Sequence, residues 1–331
     1  MKKATVAVFA SLVLAFTGSA LAQTAEKTLK IAMISKSRAN PVFEAAHRGA
    51  QDAARSLGTR YGLTIEVAIL TPDREDAGLQ VQGIRDAVRQ RVDAILIAPT
   101  DSSQVTPAID QAVDAGVLVM TFDNDAPHSK RFAHYGPNDV AVGRSVMKEL
   151  AQQIGETGKV ALLGGNEDAQ NLQARVKGVQ SAAGQYTGIE LIGPFYHEET
   201  AHMAAGEMLR VNRENPDLKG WTIVGGWPLF RSSQTLALLD DLTQRRLKVV
   251  CVDALPEELI YVDKGLAVLL AQPVYDWGTV GVGTIVDKVH RDIAVPEHIE
   301  MELVRVGQDN LAEWAGRLRD WGFQIDPSAY Q

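Results

Sequence analysis

Asp93–Pro127 reads DAILIAPTDSSQVTPAIDQAVDAGVLVMTFDNDAP. The runs DAILIAP and VLVMTFD are short, apolar and rich in β-branched residues, and the amphipathic stretch between them, through Gln111–Ala115, has helical length. A strand, a covering helix and a second strand follow from that order, which is the repeating unit of a parallel sheet. Each strand-like run is followed by or ends on an acid, Asp101 after the first and Asp123 at the end of the second.

The same alternation extends in both directions. LKIAMIS and LTIEVAIL precede this stretch, and KVALLGG, IELIGPF, WTIVGGW, LKVVCVD and LAVLLAQ follow it. After Pro41, the residues Val42, Ala46, Ala50, Ala53 and Leu57 fall on one helical stripe, with Gly58 placed to end the helix. Between Pro72 and Arg91, Leu79, Gly83, Ile84, Ala87 and Val88 share one side of a covering helix. Further helices are expected through Val140–Ile154, Leu172–Ala183, Ala201–Arg213, Leu229–Leu242 and Trp277–Val289. One sheet of so many strands would be unusually wide. The reading is therefore an α/β chain of two doubly wound parallel-sheet lobes.

The N-terminus carries Lys2 and Lys3, then the apolar ATVAVFASLVLAF, then small residues ending in Ala20-Leu21-Ala22. This order predicts a secretory signal peptide cleaved after Ala22, since the apolar stretch is short for a membrane span. A soluble periplasmic protein starting at Gln23 is expected, without a lipid-bearing cysteine near the cleavage point. Cys251 is the only cysteine in the chain, so no internal disulfide can form and stability must come from burial. The chain has a formal net charge of -8, and loss of the two leader lysines makes the mature protein more acidic still. Its basic residues are scattered, which argues against nucleic acid or an anionic membrane surface as a partner.

In doubly wound lobes ligands sit beyond the carboxyl ends of the strands, so the residues there are the candidates. They are Lys36 and Asn40 after the first run, Asp101, Asp123, Arg175, Asp253 and Gln272. Carboxylates, a guanidinium fork and amides that both donate and accept match the adjacent hydroxyls of a sugar or polyol. Phe43, Phe195, Tyr196 and Trp227 could pack on its C–H faces, and His197 also lies at a strand end.

Five motifs, in order, resemble the ribose-binding branch of the type I periplasmic binding proteins: ANPVFEAAHRGAQDAA, the Asp93–Pro127 stretch, ARVKG, VVCVDALPEEL and AVLLAQPVYDWG. The resemblance covers nearly the whole mature sequence. It implies lobes of residues 27–137 plus 273–303 and of 138–272 plus 304–331, with the chain crossing between them about three times. It also implies that Asn40, Phe43, Asp123, Arg175, Asp253 and Gln272 line the cleft, and that the protein hands its ligand to the permease of an ABC transporter. Val42 stands where pentose binders carry a first aromatic, Asn124 where ribose binders place an arginine, and Trp227-Pro228 where they carry an Asn-Asp pair, so a ligand other than ribose is expected. Lys36 with Asp123 resembles the rhamnose- and autoinducer-2-binding branches, although Asn171 and Leu172 replace the acid and Gln found there. Autoinducer-2-like binding, or presentation of ligand to a chemoreceptor or sensor kinase, is the alternative. A monomer is expected.

Other uses of these residues compete. A strand-end Asp can cap the next helix, and Asp101 precedes one beginning near Ser102. His197-Glu198 with His202 lacks the spacing of a zinc protease, because its histidines are five residues apart. LLGGNEDAQ lacks the order of a phosphate-binding loop. Cys251 lies inside an apolar run, as a core thiol does. No catalytic residue, metal or cofactor is expected.

Overall fold

The computed structural model describes Met1 and residues 28–330. The expected signal peptide and its cleavage after Ala22 lie outside the described residues. The first run of elements is β1 (Thr28–Ile34), α1 (Val42–Tyr61), β2 (Thr64–Ile69), α2 (Ala77–Arg89), β3 (Ala94–Ile97), α3 (Ser102–Asp114), β4 (Leu118–Phe122) and β5 (Ala133–Gly136). The second run is α4 (Asp139–Ile154), β6 (Thr157–Gly165), α5 (Gln170–Ala183), β7 (Gly188–Tyr196), α6 (Ala201–Glu214), β8 (Leu218–Ile223), α7 (Thr235–Arg245), β9 (Lys248–Val252), α8 (Leu259–Asp263) and β10 (Ala267–Ala271). It is followed by α9 (Val274–His290), β11 (His298–Glu300), β12 (Val304–Val306) and α10 (Leu311–Asp320).

These strands form two sheets, ordered β2-β1-β3-β4-β5-β11 and β7-β6-β8-β9-β10-β12. All pairings are parallel except that of β12 with β10. The two windings match strand for strand, so β4 of the first lobe corresponds to β9 of the second. The fold is that of a type I periplasmic binding protein, two parallel-sheet α/β lobes. The central strands are buried on both faces, as in AILI of β3 and AVLLA of β10, which is why they read as unbroken apolar runs. Cys251 is fully buried in β9, and burial pushes its thiol well above the usual value, so it is a core residue.

Paired glycines let helices approach closely in each lobe. A Cβ on Gly49 or Gly278 would run into the backbone of the facing helix where α1 crosses α9. The same holds for Gly143 and Gly178 where α4 crosses α5, which is the physical reason for the glycine of ARVKG.

The chain passes between the sheets three times, between β5 and α4, between β10 and α9, and between β11 and β12. Trp314 of α10 donates its indole N–H to the Ala254 carbonyl of the second lobe at 2.8 Å. Beyond it, Trp321 stacks on Tyr275 of α9 at 5.7 Å, and Arg48 of α1 bonds the Gly322 carbonyl. The C-terminal segment therefore spans both lobes.

Two sequence expectations need adjusting. Helix α1 runs past Gly58 to Tyr61 and ends at Gly62 in the left-handed conformation, with the Gly62 N–H returning to the Gly58 carbonyl. The expected helix Leu229–Leu242 begins only at Thr235, because Pro228 sits in a single tight turn, Trp227–Leu229, after which Phe230 is extended.

Candidate functional site

The strand-end residues of both lobes converge where the lobes face each other. Asp123 follows β4 and Asp253 follows β9, at equivalent points of the two windings, and both lie in the left-handed region with φ of 58° and 80°. Asp is among the few side chains that accept this conformation, which is uncommon and worth a functional explanation. Each N–H is still held by the neighbouring strand, Asp123 by Tyr135 O and Asp253 by Leu270 O, both at 3.1 Å.

Asp253 is satisfied within its own lobe. Gln272 donates Nε2–H to Asp253 Oδ1 at 2.7 Å, and the Gly226 N–H reaches Oδ2 at 3.0 Å. Burial raises the Asp253 carboxyl, while Gln272, Arg175 and Gly226 pull it down. Arg175, on the second turn of α5, is pinned along its whole fork: Nε to Asp139 Oδ1 at 2.7 Å, Nη1 to Val224 O at 3.0 Å and Nη2 to Gln272 Oε1 at 3.1 Å. Burial pushes the Asp139 carboxyl up to about 6 even with Arg175 drawing it down.

Asp123 finds its partners partly across the cleft. Lys36 Nζ lies 3.4 Å from its Oδ2, the Asn171 amide donates to Oδ1 at 3.3 Å, and Arg175 Nη2 stands 4.0 Å from Oδ1. Lys36 also reaches Asn171 Oδ1 at 3.5 Å. Burial would lower the Lys36 ammonium, but Asp123, Glu199 and Glu75 outweigh it and hold it above its usual value, so it stays charged. Asn124 bridges the lobes: its Oδ1 accepts from Asn171 N at 3.2 Å while its Nδ2 is held by Pro99 O at 2.9 Å.

Lys36, Asp123, Asn124, Arg175, Asp253 and Gln272 are thus brought into one polar cluster. Asn40 is buried, accepts from the Val42 N–H and borders a smaller interlobe space together with Trp227 and Glu199. Trp227 is buried in a slot made by missing side chains, since a Cβ on Gly165 or Gly225 would enter the indole. His197 meets Trp227 edge-to-face at 5.2 Å. Its Nδ1–H donates to the Glu198 carbonyl at 2.6 Å, Nε2 has no protein partner, and burial lowers its pKa, so the ring is neutral.

Three placements correct the sequence reading. Asp101 stays out of the cluster: its carboxylate caps α3, accepting from the N–H groups of Ser103 and Gln104 and from both of their side chains. Phe43 is buried in an aromatic cluster with Phe122 and Trp277, within the first lobe's core. Phe195 packs against Trp221 with the Arg210 guanidinium over its ring, and Tyr196 is turned outward to Gln173.

Sequence reasoning missed Asp139, Glu75 and Glu199. Glu75, between β2 and α2, and Glu199, between β7 and α6, meet across the lobes within hydrogen-bonding reach and line a cleft of about 500 Å³ with Ser37, His197 and Thr200. Burial and the Glu199 carboxyl push Glu75 up to about 8, and burial raises Glu199 as well. Extending the strand-end rule a few residues into the loops after β2 and β7 would have found both. Among the described residues no group of His, Cys, Asp and Glu side chains is arranged to hold a metal.

A family model described as a periplasmic binding protein domain matches residues 31–290. The chain belongs to the periplasmic binding protein family. Among its relatives in this family is the D-ribose/D-allose-binding protein of Pseudomonas aeruginosa, 29% identical over 206 residues, covering 60% of this chain and 62% of that protein. The ribose import binding protein RbsB of Bacillus subtilis is 30% identical over 146 residues, covering 44% of this chain and 46% of that one. The chain therefore spans between 46% and 62% of the length of these curated relatives. Among solved structures, the solute-binding protein of Burkholderia graminis in complex with D-arabinose superposes with a TM-score of 0.76 at 25% identity, over 86% of this chain and 97% of that one. A carbohydrate solute-binding protein of Agrobacterium radiobacter shares the fold, with a TM-score of 0.79 at 21% identity over 90% of this chain and 99% of that one.

Proposed function

We propose that this protein captures a monosaccharide or related polyol between its lobes by hinge closure and presents it, chemically unchanged, to the permease of an ABC transporter. The observation that carries the reading is the chain of buried polar groups Lys36–Asp123–Arg175–Gln272–Asp253, drawn from strand ends and α5 of both lobes. Such groups present paired acceptors and forked donors, which adjacent sugar hydroxyls match. The D-arabinose of the Burkholderia protein and the D-ribose and D-allose of the Pseudomonas protein set the ligand class to test first. The hinge is taken as the three chain crossings, dividing the lobes at 137/138, 272/273 and 303/304. Ligand would rest on one lobe, and contacts from the other would then favour the closed form.

Export to the periplasm with residues 1–22 removed fits the leader, and action as a monomer completes the reading. A sensor kinase or chemoreceptor is the second destination for the closed form, tested by pull-down with and without sugar. The primary test is a thermal-shift screen of residues 23–331, refolded to strip carried-over ligand, against pentoses, hexoses, 6-deoxyhexoses, polyols and autoinducer-2. A ligand of the native state raises the melting temperature. One responding sugar class, with a much smaller shift at the same concentration in Asp253→Asn, supports the reading, and a folded protein with no response to any of them refutes it.

A further inference from the structure

Glu75 and Glu199 belong to opposite lobes, face each other carboxyl to carboxyl, and border the same cleft. One oxygen of each, Oε1, is buried without a protein partner. Two carboxylates at hydrogen-bonding distance cannot both stay ionised in such a place without a large cost, and a single proton between them removes it.

We propose that Glu75 and Glu199 are closure-determining residues, which meet only when the lobes close and then hold one proton between them, so that sugar capture takes up a proton. The inference rests on the sugar-binding reading above and adds a coupling to it.

The surroundings leave the pair short of positive charge. Lys36, after β1, is the cation facing both acids, but it is already engaged by Asp123 after β4, which itself opposes their ionisation. From their own loops come Arg74 and Asp76 beside Glu75, and His197 and Glu198 beside Glu199. Glu167 and Asp168, on the loop between β6 and α5, line the same cleft and add negative charge. Arg231 and Glu257 share the smaller space on the far side of Glu199 and offset each other. Trp227 lines the space beside Glu199, and its indole draws the Glu199 carboxyl down.

In the open form both acids face water and titrate as ordinary glutamates, at about 4.3. In the closed form Glu75 is pushed up to about 8. A raised value in the closed form makes closure most favourable at low pH and progressively less so as pH rises toward about 8. Neutral His197 exchanges a proton in the opposite sense, but only below about pH 6.5, and the Asp139 carboxyl, at about 6, lies below the window as well.

The test is isothermal titration of the full mature chain with D-arabinose and D-allose, at pH 6.5 to 8, in buffers of different ionisation enthalpy. The expected result is uptake of close to one proton per sugar near pH 7 and affinity that weakens by nearly tenfold per pH unit. Glu75→Gln supplies an amide donor to Glu199 without any proton, and Glu199→Gln does the reverse. Both variants should bind with affinity that is flat across the window and with no uptake. Sugar binding by wild type without proton uptake overturns the inference while leaving the sugar-binding reading intact, as does a slope that survives in both variants. Affinity that rises with pH would also overturn it, by showing a cation in the proton's place. No heat with either of these, nor with any other sugar or polyol of the thermal-shift screen, in a protein shown to be folded, counts against both.

Discussion

Asp123 and Asp253 occupy the same point in two copies of one winding, share the left-handed backbone, and differ in where their partners lie. Asp253 is held by Gln272 and Gly226, both of its own lobe. Asp123 relies on Lys36 from its own lobe and on Asn171 and Arg175 from the other. The second lobe's polar face is therefore tied within its own lobe, and the first lobe's acid is completed by it. Under the hinge closure proposed above, this division makes one lobe the initial docking face and the other the reporter of closure.

The comparison is broken most forcefully at Arg175. Arg175→Ala leaves Asp139 buried without its partner and removes the donor to Gln272, so urea unfolding should show a loss of about 3 kcal/mol, with sugar response gone as well. Unaltered stability would mean that the second lobe's face is not pre-tied. Asp253→Asn keeps the shape and the left-handed backbone but gives up a carboxylate acceptor. Titration should show affinity weaker by about 2 kcal/mol, roughly thirtyfold, with a lowered urea midpoint, because the new amide N–H must face the Gln272 or Gly226 donor. Gly225→Ala pushes a methyl into the Trp227 indole and should cost about 1–3 kcal/mol of stability by over-packing, seen as a lower melting temperature. The smallest effect belongs to Tyr275→Phe, which removes a hydroxyl bonded to Asp52 at 2.7 Å away from the cluster. It should cost about 1 kcal/mol and leave affinity alone, and any change in affinity would show that the outer face of the first lobe feeds into the cleft.

How far the sequence discloses this arrangement differs by residue. Asp253 and Gln272 stand directly after apolar runs, where the doubly wound fold must expose them at the sheet's carboxyl edge, and β9 and β10 place them side by side. Arg175 is legible through ARVKG because Gly178 is demanded by the close crossing of α4 and α5, which fixes the face on which the arginine lies. Asp101 and Asp123 look alike in sequence. Capping and strand-end display use the same residue at the same position, and only the donors of Ser103 and Gln104 decide that Asp101 is a cap. Phe43 misleads because its helical stripe serves both the core and the cleft edge. Glu75 and Glu199 lie in loops, where no periodicity marks direction, and they meet only through the mutual placement of two lobes. Asp139 is hidden for a related reason: it opens α4 just after a chain crossing, and its partner is on the next helix.

Small-angle X-ray scattering of the mature protein, with and without the sugar that gives the largest thermal shift, tests the division of labour between the lobes most directly. Wild type should contract on binding. Asp123→Asn should still bind, giving titration heat with reduced affinity, while failing to contract fully, and Asp253→Asn should contract at saturating sugar despite its weaker binding. Full contraction in Asp123→Asn, or its absence in wild type with sugar bound, would contradict the account.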